Sequence, residues 1–238
     1  MKQNSSLNFD DLEERDYPFL TGLNKTQFDD FSDHLIQHIK TCPKRSPRTT
    51  IGLFLVKVFT GMSNKLLSTI FGLSKSSVRR AIETVRLLSM RVFVPLYLGL
   101  ETLPRTCLIK DHTRPLAKSL FGTHDDQLIL VLDGTYIYIH KSNNFKFQRR
   151  SYSLHKGRPL VKPMVVVTTT GHFVTIVGPY LADGKNNDAA ILNHMLRANV
   201  QNFREFLQEG DVLVVDRGFR DSLTLLADLG IHADFVSH

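Results

Sequence analysis

The sequence predicts an α/β domain built on a mixed sheet, preceded by an all-α region that contains a helix-turn-helix. The first observation is a pair of apolar runs, residues 128–132 and 212–215, each followed at once by an aspartate, Asp133 or Asp216. Short apolar runs between polar flanks are typical of strands that are buried on both faces. The second observation is helical periodicity over residues 24–91, interrupted by glycines. The α/β domain alternates strands with helices after its first strands, and this order favours a mixed sheet.

The positive charge of the chain is concentrated in its middle third. The chain has 238 residues, a hydrophobic fraction of 42% and a net charge of +7, which fit a globular protein with one or two domains. Residues 1–36 hold 3 Lys+Arg against 8 Asp+Glu, residues 37–120 hold 15 against 3, and residues 121–238 hold 12 of each. A surplus of 12 positive charges in one segment favours a nucleic-acid partner, with a solubilising basic surface as the alternative.

The cysteines and the N-terminal residues indicate an intracellular protein. Cys42 and Cys107 do not form a CxxC pair, so the sequence predicts neither a zinc ribbon nor a disulfide framework. The first 16 residues are polar and acidic, unlike a signal peptide. Because no apolar run approaches the ~20 residues that a membrane-spanning helix needs, we expect no membrane partner.

Changes in composition divide the chain into four expected segments. Residues 1–17 are expected to be a disordered acidic lead, residues 18–93 a helical region with the helix-turn-helix, residues 94–120 a connector with three prolines, and residues 121–238 the α/β domain.

The helix-turn-helix is predicted from two serine caps on either side of Gly72. Ser63 precedes a short apolar helix that ends at Gly72, and Ser74 precedes a longer helix that extends to about residue 90. A short glycine-containing turn between two helices is typical of DNA-binding helix-turn-helix motifs. The longer helix carries exposed polar and basic residues that suit phosphates and guanine edges, namely Lys75, Ser76, Arg79, Arg80 and Arg86. The alternative is a small helical bundle with a solvated basic face.

Strands and helices are predicted through the rest of the chain. The first strand continues to residue 140, a polar turn follows at 141–144, and the next segment is basic with alternating apolar residues. A β-hairpin is predicted over residues 163–178 with its turn at Thr170-Gly171. We then expect a helix from Asp188 to about residue 208, the strand before Asp216, a short helix over residues 221–229 and a last strand over 231–236.

Asp133 and Asp216 are the candidate metal ligands. A carboxylate at the end of a buried strand is costly unless a cation or a donor meets it, so two such aspartates suggest convergence on a divalent metal. The alternative is that each aspartate forms a turn or caps a helix through nearby backbone amides. A phosphatase of the haloacid dehalogenase type is excluded, because its DxDGT motif needs an aspartate where this chain has Val131.

Four stretches together resemble the DDE-superfamily transposase domain of the PIF/Harbinger type. They are VLDGTYIYI, SYSLHKGRPLVKPM, GPYLADGKNNDAAI and GDVLVVDRGFRDS, and a helix-turn-helix before the domain also fits that family. The resemblance covers about residues 18–238. It implies a ribonuclease H-like fold and a DNA endonuclease and strand transferase that holds two Mg²⁺ or Mn²⁺ ions between two aspartates and a glutamate.

The resemblance assigns Asp133 as the first acid and Asp216 as the second, and leaves the third acid unassigned. It also implies that Arg149, Arg150, Lys156 and Arg158 hold the DNA backbone near the metals, unless these charges only protect an exposed sheet edge. DNA is the expected partner, a homo-oligomer is possible, and the expected location is the nucleus, or the cytoplasm if the chain is bacterial.

The third acid of the family is a glutamate on a helix after the last strand, and this sequence has no glutamate after Glu209. Asp188 and Asp221 are interpreted as helix caps. We therefore expect a fragment truncated before the third acid and inactive as it stands, or, as the alternative, a transposase-derived DNA-binding protein without catalysis.

Overall fold

The structure is a computed structural model that describes residues 6–43 and 45–235. The chain divides into two compact units, Met1–Tyr97 and Leu98–His238. Expectations that fall on residues 1–5, on Lys44 and on residues 236–238 lie outside the described residues.

The first unit is all-helical. Its helices are α1 (Tyr17–Thr21), α2 (Lys25–Leu35), α3 (Pro47–Thr60), α4 (Asn64–Ile70), α5 (Lys75–Leu88) and α6 (Val94–Tyr97), with short 3₁₀ turns at Glu14–Asp16 and Ile36–His38 and a π-helical turn at Ser89–Phe93. Side-chain oxygens cap the longer helices at their N-termini, as the sequence predicts. Ser63 accepts from Leu66 N at 3.2 Å, and Ser74 accepts from Ser77 N at 3.2 Å.

The lead expected to be disordered is folded over its described part, residues 6–17. Phe9 is fully buried and Tyr17 is 1% exposed. The Phe9 ring stacks on Phe28 with a centroid distance of 5.2 Å, and Phe71 and Tyr17 complete the cluster. The acidic composition of the lead does not reveal this burial, because the burial depends on a single aromatic side chain, Phe9, that enters the core.

The helices α4 and α5 occupy the positions predicted for the helix-turn-helix. Gly72 lies between them with a φ of +60°, the left-handed conformation that glycine adopts readily. Val78 and Val85 of α5 are fully buried, so the opposite face of this helix is turned to solvent.

The second unit has helices around a sheet. Its strands are β1 (Ile129–Gly134), β2 (Ile137–Tyr138), β3 (Tyr152–Ser153), β4 (Arg158–Thr168), β5 (Phe173–Leu181), β6 (Val212–Val215) and β7 (His232–Phe235). Its helices are α7 (Arg105–His112), α8 (Pro115–Phe121), α9 (Phe145–Ser151), α10 (Asp188–Arg197), α11 (Phe203–Phe206) and α12 (Leu223–Asp228).

The sheet is mixed, as the sequence predicts. The strands β5, β4, β1, β6 and β7 lie side by side in that order. The β4 strand is antiparallel to both β5 and β1, whereas β1 and β6, and β6 and β7, are parallel. The short β2 and β3 strands pair with the first part of β4. This arrangement is consistent with the expected ribonuclease H-like fold.

The two long strands β4 and β5 form the predicted hairpin, with Gly171 in the turn at a φ of +86°. Their pairing is interrupted twice. Between Lys162 and Met164, and again between Val166 and Val167, β5 contains one more residue than β4. Each extra residue forms a β-bulge.

Three further segments differ from their predicted structure. The strand predicted to continue to residue 140 ends at Gly134, and Ile137–Tyr138 form the separate strand β2, which pairs with β4. The basic segment after residue 144 begins with α9, because Asn144 caps the backbone N–H of Phe147 at 3.0 Å. The helix expected over residues 188–208 is broken after Arg197, where Asn199, Gln201 and Asn202 have positive φ angles. Asparagine tolerates this conformation better than most residues, so the two asparagines locate the break.

Helices within the described ranges are too short and too polar to cross a membrane. The main core of the second unit lies between one face of the sheet and α10, whose Ile191, Leu192 and Met195 are each at most 1% exposed. A smaller cluster of Ile129, Val212 and Val214 lies on the other face of the sheet. This core fixes the position of the strand ends that carry Asp133 and Asp216.

Candidate active site

Asp133 and Asp216 lie side by side on neighbouring parallel strands. In the pairing of β1 with β6, Val131 lies opposite Val214. Each aspartate is two residues beyond its paired valine, so both side chains leave the same end of the sheet. This pairing brings the two carboxylates to the same end of the sheet.

Asp216 also makes a turn. Its Oδ1 accepts a hydrogen bond from Gly218 N at 2.8 Å and starts the 3₁₀ helix at Arg217–Ser222. The capping interpretation of Asp216 is thus correct for one oxygen, and it does not exclude a ligand role for the carboxylate.

A third carboxylate, that of Asp188, lies beside these two. The expectation that Asp188 caps α10 is wrong, because Asn187 is the cap and accepts from Ala190 N at 2.7 Å. A β-carbon on Gly218 would lie 2.9 Å from Asp216 Oδ1 and 3.2 Å from Asp188 Oδ2. Because both distances start from the same point, Asp216 Oδ1 and Asp188 Oδ2 are at most 6.1 Å apart, the sum of 2.9 and 3.2 Å. A β-carbon on Gly134 would lie 2.6 Å from Asp188 Oδ1, so both glycines leave room for this carboxylate.

Lys162 of β4 reaches the same place from the neighbouring strand. It is 8% exposed, and its Nζ lies 2.7 Å from Asp188 Oδ1 and donates to Asn186 O at 3.1 Å. The contact with Asp188 is an ion pair by distance, but no hydrogen-bond donor meets Oδ1 in acceptable geometry, although the atom is buried. Asp188 Oδ1 is thus an incompletely satisfied buried oxygen.

The electrostatics of the cluster act on Asp133. Desolvation by the surrounding protein is the largest influence and raises the pKa of Asp133, although the residue is exposed at the surface, and the charges of Asp216 and Asp188 raise this pKa further. The backbone N–H of Gly134 and the ammonium of Lys162 act in the opposite direction without cancelling the increase. A carboxylate whose pKa is raised by neighbouring acidic side chains is typical of sites that attract a cation.

The residues fit a divalent metal in donor type, although their present arrangement is not that of a bound site. Within the described residues, no three His, Cys, Asp or Glu side chains are placed so that they could hold one ion. The donors are carboxylate oxygens, which suit Mg²⁺ and Mn²⁺. One of these oxygens is buried and incompletely satisfied, and two glycines provide space around it.

The basic residues predicted in the α/β domain have different environments. The Lys156 ammonium lies 5.0 Å from the ring centroid of Tyr136, and the Arg158 guanidinium lies 4.7 Å from that of Tyr138. We call these four side chains the aromatic–basic surface; all four are exposed.

Arg149 and Arg150 lie on α9, apart from that surface. The Arg150 Nε is 2.9 Å from Asp183 Oδ2, so this guanidinium already has a carboxylate partner. Arg149 is exposed and lines a cavity of about 850 Å³ together with Phe145 and Tyr152.

Four of the five residues predicted on the helix-turn-helix share one exposed face in the first part of α5. Lys75, Ser76, Arg79 and Arg80 are all exposed. Ser76, Arg79 and Arg80 follow Lys75 by one, four and five residues, so the four side chains are neighbours on the helix surface. The ion pairs found among the described residues do not involve Lys75, Arg79 or Arg80, whereas Arg86 pairs with Glu83 at 2.6 Å.

Asp188 and Lys162 were missed by the sequence analysis, although each has a signal. Asn187 and Asp188 are adjacent, and either can cap a helix, so one of them is available for another role. Lys162 is a charged residue among apolar neighbours in a strand, which is costly unless an opposite charge meets it.

Comparison with known proteins supports the resemblance over the second unit. Residues 124–235, slightly less than half of the chain, match the family model described as "Transposase DDE domain". This match supports similarity to DDE transposases in general, and it does not distinguish the PIF/Harbinger type. The curated proteins contain no match.

A solved structure titled "Mos1 transposase paired-end complex with left transposon end" is 12% identical to this chain, with a TM-score of 0.25. The alignment covers 82% of this chain and 60% of that chain, so this chain spans less than two thirds of the solved protein. A likeness at this level carries no argument about function.

Proposed function

We propose that this chain is a transposase-like DNA endonuclease and strand transferase of the DDE superfamily, of the PIF/Harbinger type. The observation that carries the proposal is the parallel pairing of β1 with β6, which sets Asp133 beside Asp216. The match of residues 124–235 to transposase DDE domains supports the same assignment.

In this proposal Asp133 and Asp216 hold the divalent metal. Two divalent ions held there would supply activation of the attacking water or 3′-hydroxyl and stabilisation of the leaving oxygen of the phosphodiester. Gly218 N keeps the Asp216 side chain oriented through its hydrogen bond to Oδ1. The pKa of Asp133 is raised by its surroundings and by its acidic neighbours, so a cation is favoured there over a further anion.

The aromatic–basic surface holds the DNA strand next to the carboxylates. Tyr136 is three residues beyond Asp133, and its ring centroid lies 5.0 Å from the Lys156 ammonium and 5.8 Å from the Lys162 ammonium. Exposed tyrosine rings beside cations suit a nucleic-acid strand, because bases stack on the rings while the cations meet phosphates. Arg149 and Arg150 extend the positive charge from α9. A homo-oligomer and a nuclear location, or a cytoplasmic one in a bacterium, belong to the same proposal.

The second candidate is a DNA-binding protein without catalysis. It is favoured by the exposed basic face of α5 and by the fact that the three carboxylates are not converged in this conformation. The two candidates differ in whether the chain binds a divalent metal.

Replacing either aspartate should weaken metal binding strongly. We expect the full chain to bind Mn²⁺ in isothermal titration calorimetry, and Asp133→Asn or Asp216→Asn to weaken that binding at least by the roughly 10- to 100-fold that loss of an outer-shell partner costs. The physical reason is that each substitution removes a negatively charged oxygen ligand while keeping the shape of the side chain.

The matched control is Asp228→Asn, an exposed aspartate on α12, which should leave the affinity unchanged. An equal response of the wild type and both site variants to Mn²⁺ would reject the metal site and leave DNA binding by α5 as the function.

The basic face of α5 should bind phosphates. We expect the double variant Arg79→Gln/Arg80→Gln to weaken binding of the full chain to duplex DNA, and to reduce the slope of log K against log salt by up to about 2, since each lost phosphate contact contributes about 0.9. Fluorescence anisotropy over a salt series measures both quantities.

Arg86→Gln is the control for this experiment, because Arg86 lies on the same helix but is paired with Glu83. If Arg86→Gln reduces the slope by half as much as the double variant does, the effect is one of total charge and not of this face.

A further inference from the structure

We infer that two adjoining cavities beside α9 bind a single unpaired nucleotide of a DNA strand, with its base in an apolar cavity and its phosphate in a cationic one. The inference rests on the proposed function for its partner, DNA, and it names the form of DNA that the second unit takes. It does not depend on a bound metal, because the described residues that line the two cavities do not include Asp133 or Asp216.

The apolar cavity is the one that Arg149 lines, with a volume of about 850 Å³. This volume lies within the roughly 300–1,000 Å³ that is usual for small-ligand sites. Its walls come from α9, from β3 and the turn after it, and from the loop after β5. Phe145 is 78% exposed and Leu154 is 91% exposed, and Tyr152 adds a second exposed ring. Large apolar side chains that are exposed together around a concavity with a polar rim are typical of ligand sites, whereas single exposed ones are not.

The cationic cavity, of about 410 Å³, adjoins the first one and shares Arg149 and Asp183 with it. Arg150 and Lys185 also line it. Asp183 is the one carboxylate among the described lining residues, and it already accepts from Arg150 Nε at 2.9 Å and from Asn186 Nδ2 at 2.8 Å. The ion pairs found among the described residues do not involve Arg149 or Lys185. These two cations therefore favour an anionic group in this cavity.

An apolar cavity joined to a cationic one matches the two ends of a nucleotide. A base has a flat π-face that stacks on aromatic side chains, and its phosphate is an anion that an arginine and a lysine bind well. A base inside the double helix cannot enter a cavity in a protein surface. The nucleotide must therefore be unpaired, or it must be turned out of the stack at a cost that the cavity offsets.

The apolar cavity is continuous with the aromatic–basic surface through the turn between β3 and β4. Leu154 and His155 of this turn line the cavity, and Lys156 and Arg158, which follow them, belong to the aromatic–basic surface. The turn is held by Ser153 Oγ, which accepts from Lys156 N at 3.3 Å. A DNA strand that lies on the aromatic–basic surface therefore passes beside the cavity, and one of its bases can enter.

The test compares the affinity of the full chain for two duplexes in EDTA. One duplex has a single unpaired deoxyadenosine, and the other has an abasic site at the same position. We expect the unpaired base to strengthen binding about 10-fold in fluorescence anisotropy, which is within the range of one base–aromatic contact. Phe145→Ala and Leu154→Ala should each reduce this difference to about threefold or less, without changing the affinity for the abasic duplex. Arg149→Gln should weaken binding of both duplexes by the same factor, because both contain the phosphate.

Phe173→Ala is the matched control for the apolar variants, because Phe173 is an exposed phenylalanine on β5 and is not among the described residues that line the cavity. Arg204→Gln, an exposed arginine on α11, is the control for the loss of charge. Both controls should bind the two duplexes like the wild type. Circular dichroism of each variant checks that the fold is kept, which we expect because the substituted side chains are exposed.

Equal affinity of the wild type for the two duplexes would overturn the inference. A preference for the unpaired base that Phe145→Ala and Leu154→Ala leave unchanged would overturn it as well. Free deoxyadenosine monophosphate distinguishes the two sources of a nucleotide: if it binds more tightly than the duplex with the unpaired base, the assignment of the cavity to DNA is wrong. Mn²⁺ binding without a preference for the unpaired base would reject this inference alone, whereas the preference without Mn²⁺ binding would reject the proposed endonuclease alone.

Discussion

Replacing Asp211 with alanine should destabilise the second unit by about 3–5 kcal/mol. Asp211 is 1% exposed, and Arg105 binds it with both terminal nitrogens, one of them at 2.8 Å from Oδ2. Its oxygens also accept from Leu128 N at 3.1 Å and from Gln208 N at 2.9 Å. Alanine would leave a partly buried guanidinium and two backbone donors without their partner, which is the costly case for a buried ion pair.

Metal binding at the candidate site should also be weakened, because Asp211 connects the first residues of the two strands that carry the candidate ligands. It precedes β6 and holds the residue before β1. We therefore expect Asp211→Ala to lose Mn²⁺ binding although Asp211 is not a ligand. Urea unfolding followed by circular dichroism, with limited proteolysis to assign the transition to its unit, measures the loss of stability.

Two further variants decide whether the ion pair is the cause. The double variant Arg105→Ala/Asp211→Ala should cost less than the sum of the single variants, because it leaves no charge unpaired. Asp125→Ala removes a carboxylate that is 91% exposed and pairs with Lys118. This variant should leave the urea midpoint of the transition unchanged. A cost below about 1 kcal/mol for Asp211→Ala would contradict the role given to this network.

Phe9→Ala should destabilise the first unit by about 3–5 kcal/mol, the usual cost of removing a buried phenylalanine. The ring is fully buried among Tyr17, Phe28 and Phe71, and α3 approaches it so closely that a β-carbon on Gly52 would lie 2.4 Å from it. The backbone oxygen of Phe9 also accepts from Arg48 Nε at 3.0 Å. Loss of the ring leaves a cavity that these contacts prevent from closing.

Phe19→Ala is the matched control, because the Phe19 side chain is 79% exposed and should contribute little. The measurement is the urea midpoint of the transition assigned to the first unit. Equal midpoints for the two variants would mean that the lead is not part of this core. Since α5 packs on the same buried cluster, we also expect Phe9→Ala to weaken DNA binding in proportion to the fraction unfolded.

Local signals were sufficient to predict many of the elements. The apolar runs before Asp133 and Asp216 became β1 and β6, and Ser63 and Ser74 begin their helices as predicted. These features are set within a few residues by burial or by a cap, so they are visible in the sequence.

Features that depend on distant residues were not predictable in this way. Asn187 and Asp188 are both good caps, and only the approach of Lys162 from β4 shows which of them is turned toward the acidic cluster. Phe9 lies in an acidic segment, and its burial depends on helices far along the chain. The candidate pair of ligands could therefore be predicted, whereas the third carboxylate and its counter-ion could not.

The two bulges of β5 determine where this domain can change in length. A one-residue insertion in a strand moves every later side chain to the opposite face unless a bulge absorbs it. The β5 strand contains two such extra residues relative to β4. The β4 strand is held by β5 on one side and by β1 on the other, so a deletion there would turn Lys162 away from Asp188. We therefore expect insertions and deletions to be better tolerated along β5 and in the turn around Gly171 than between Lys162 and the end of β4.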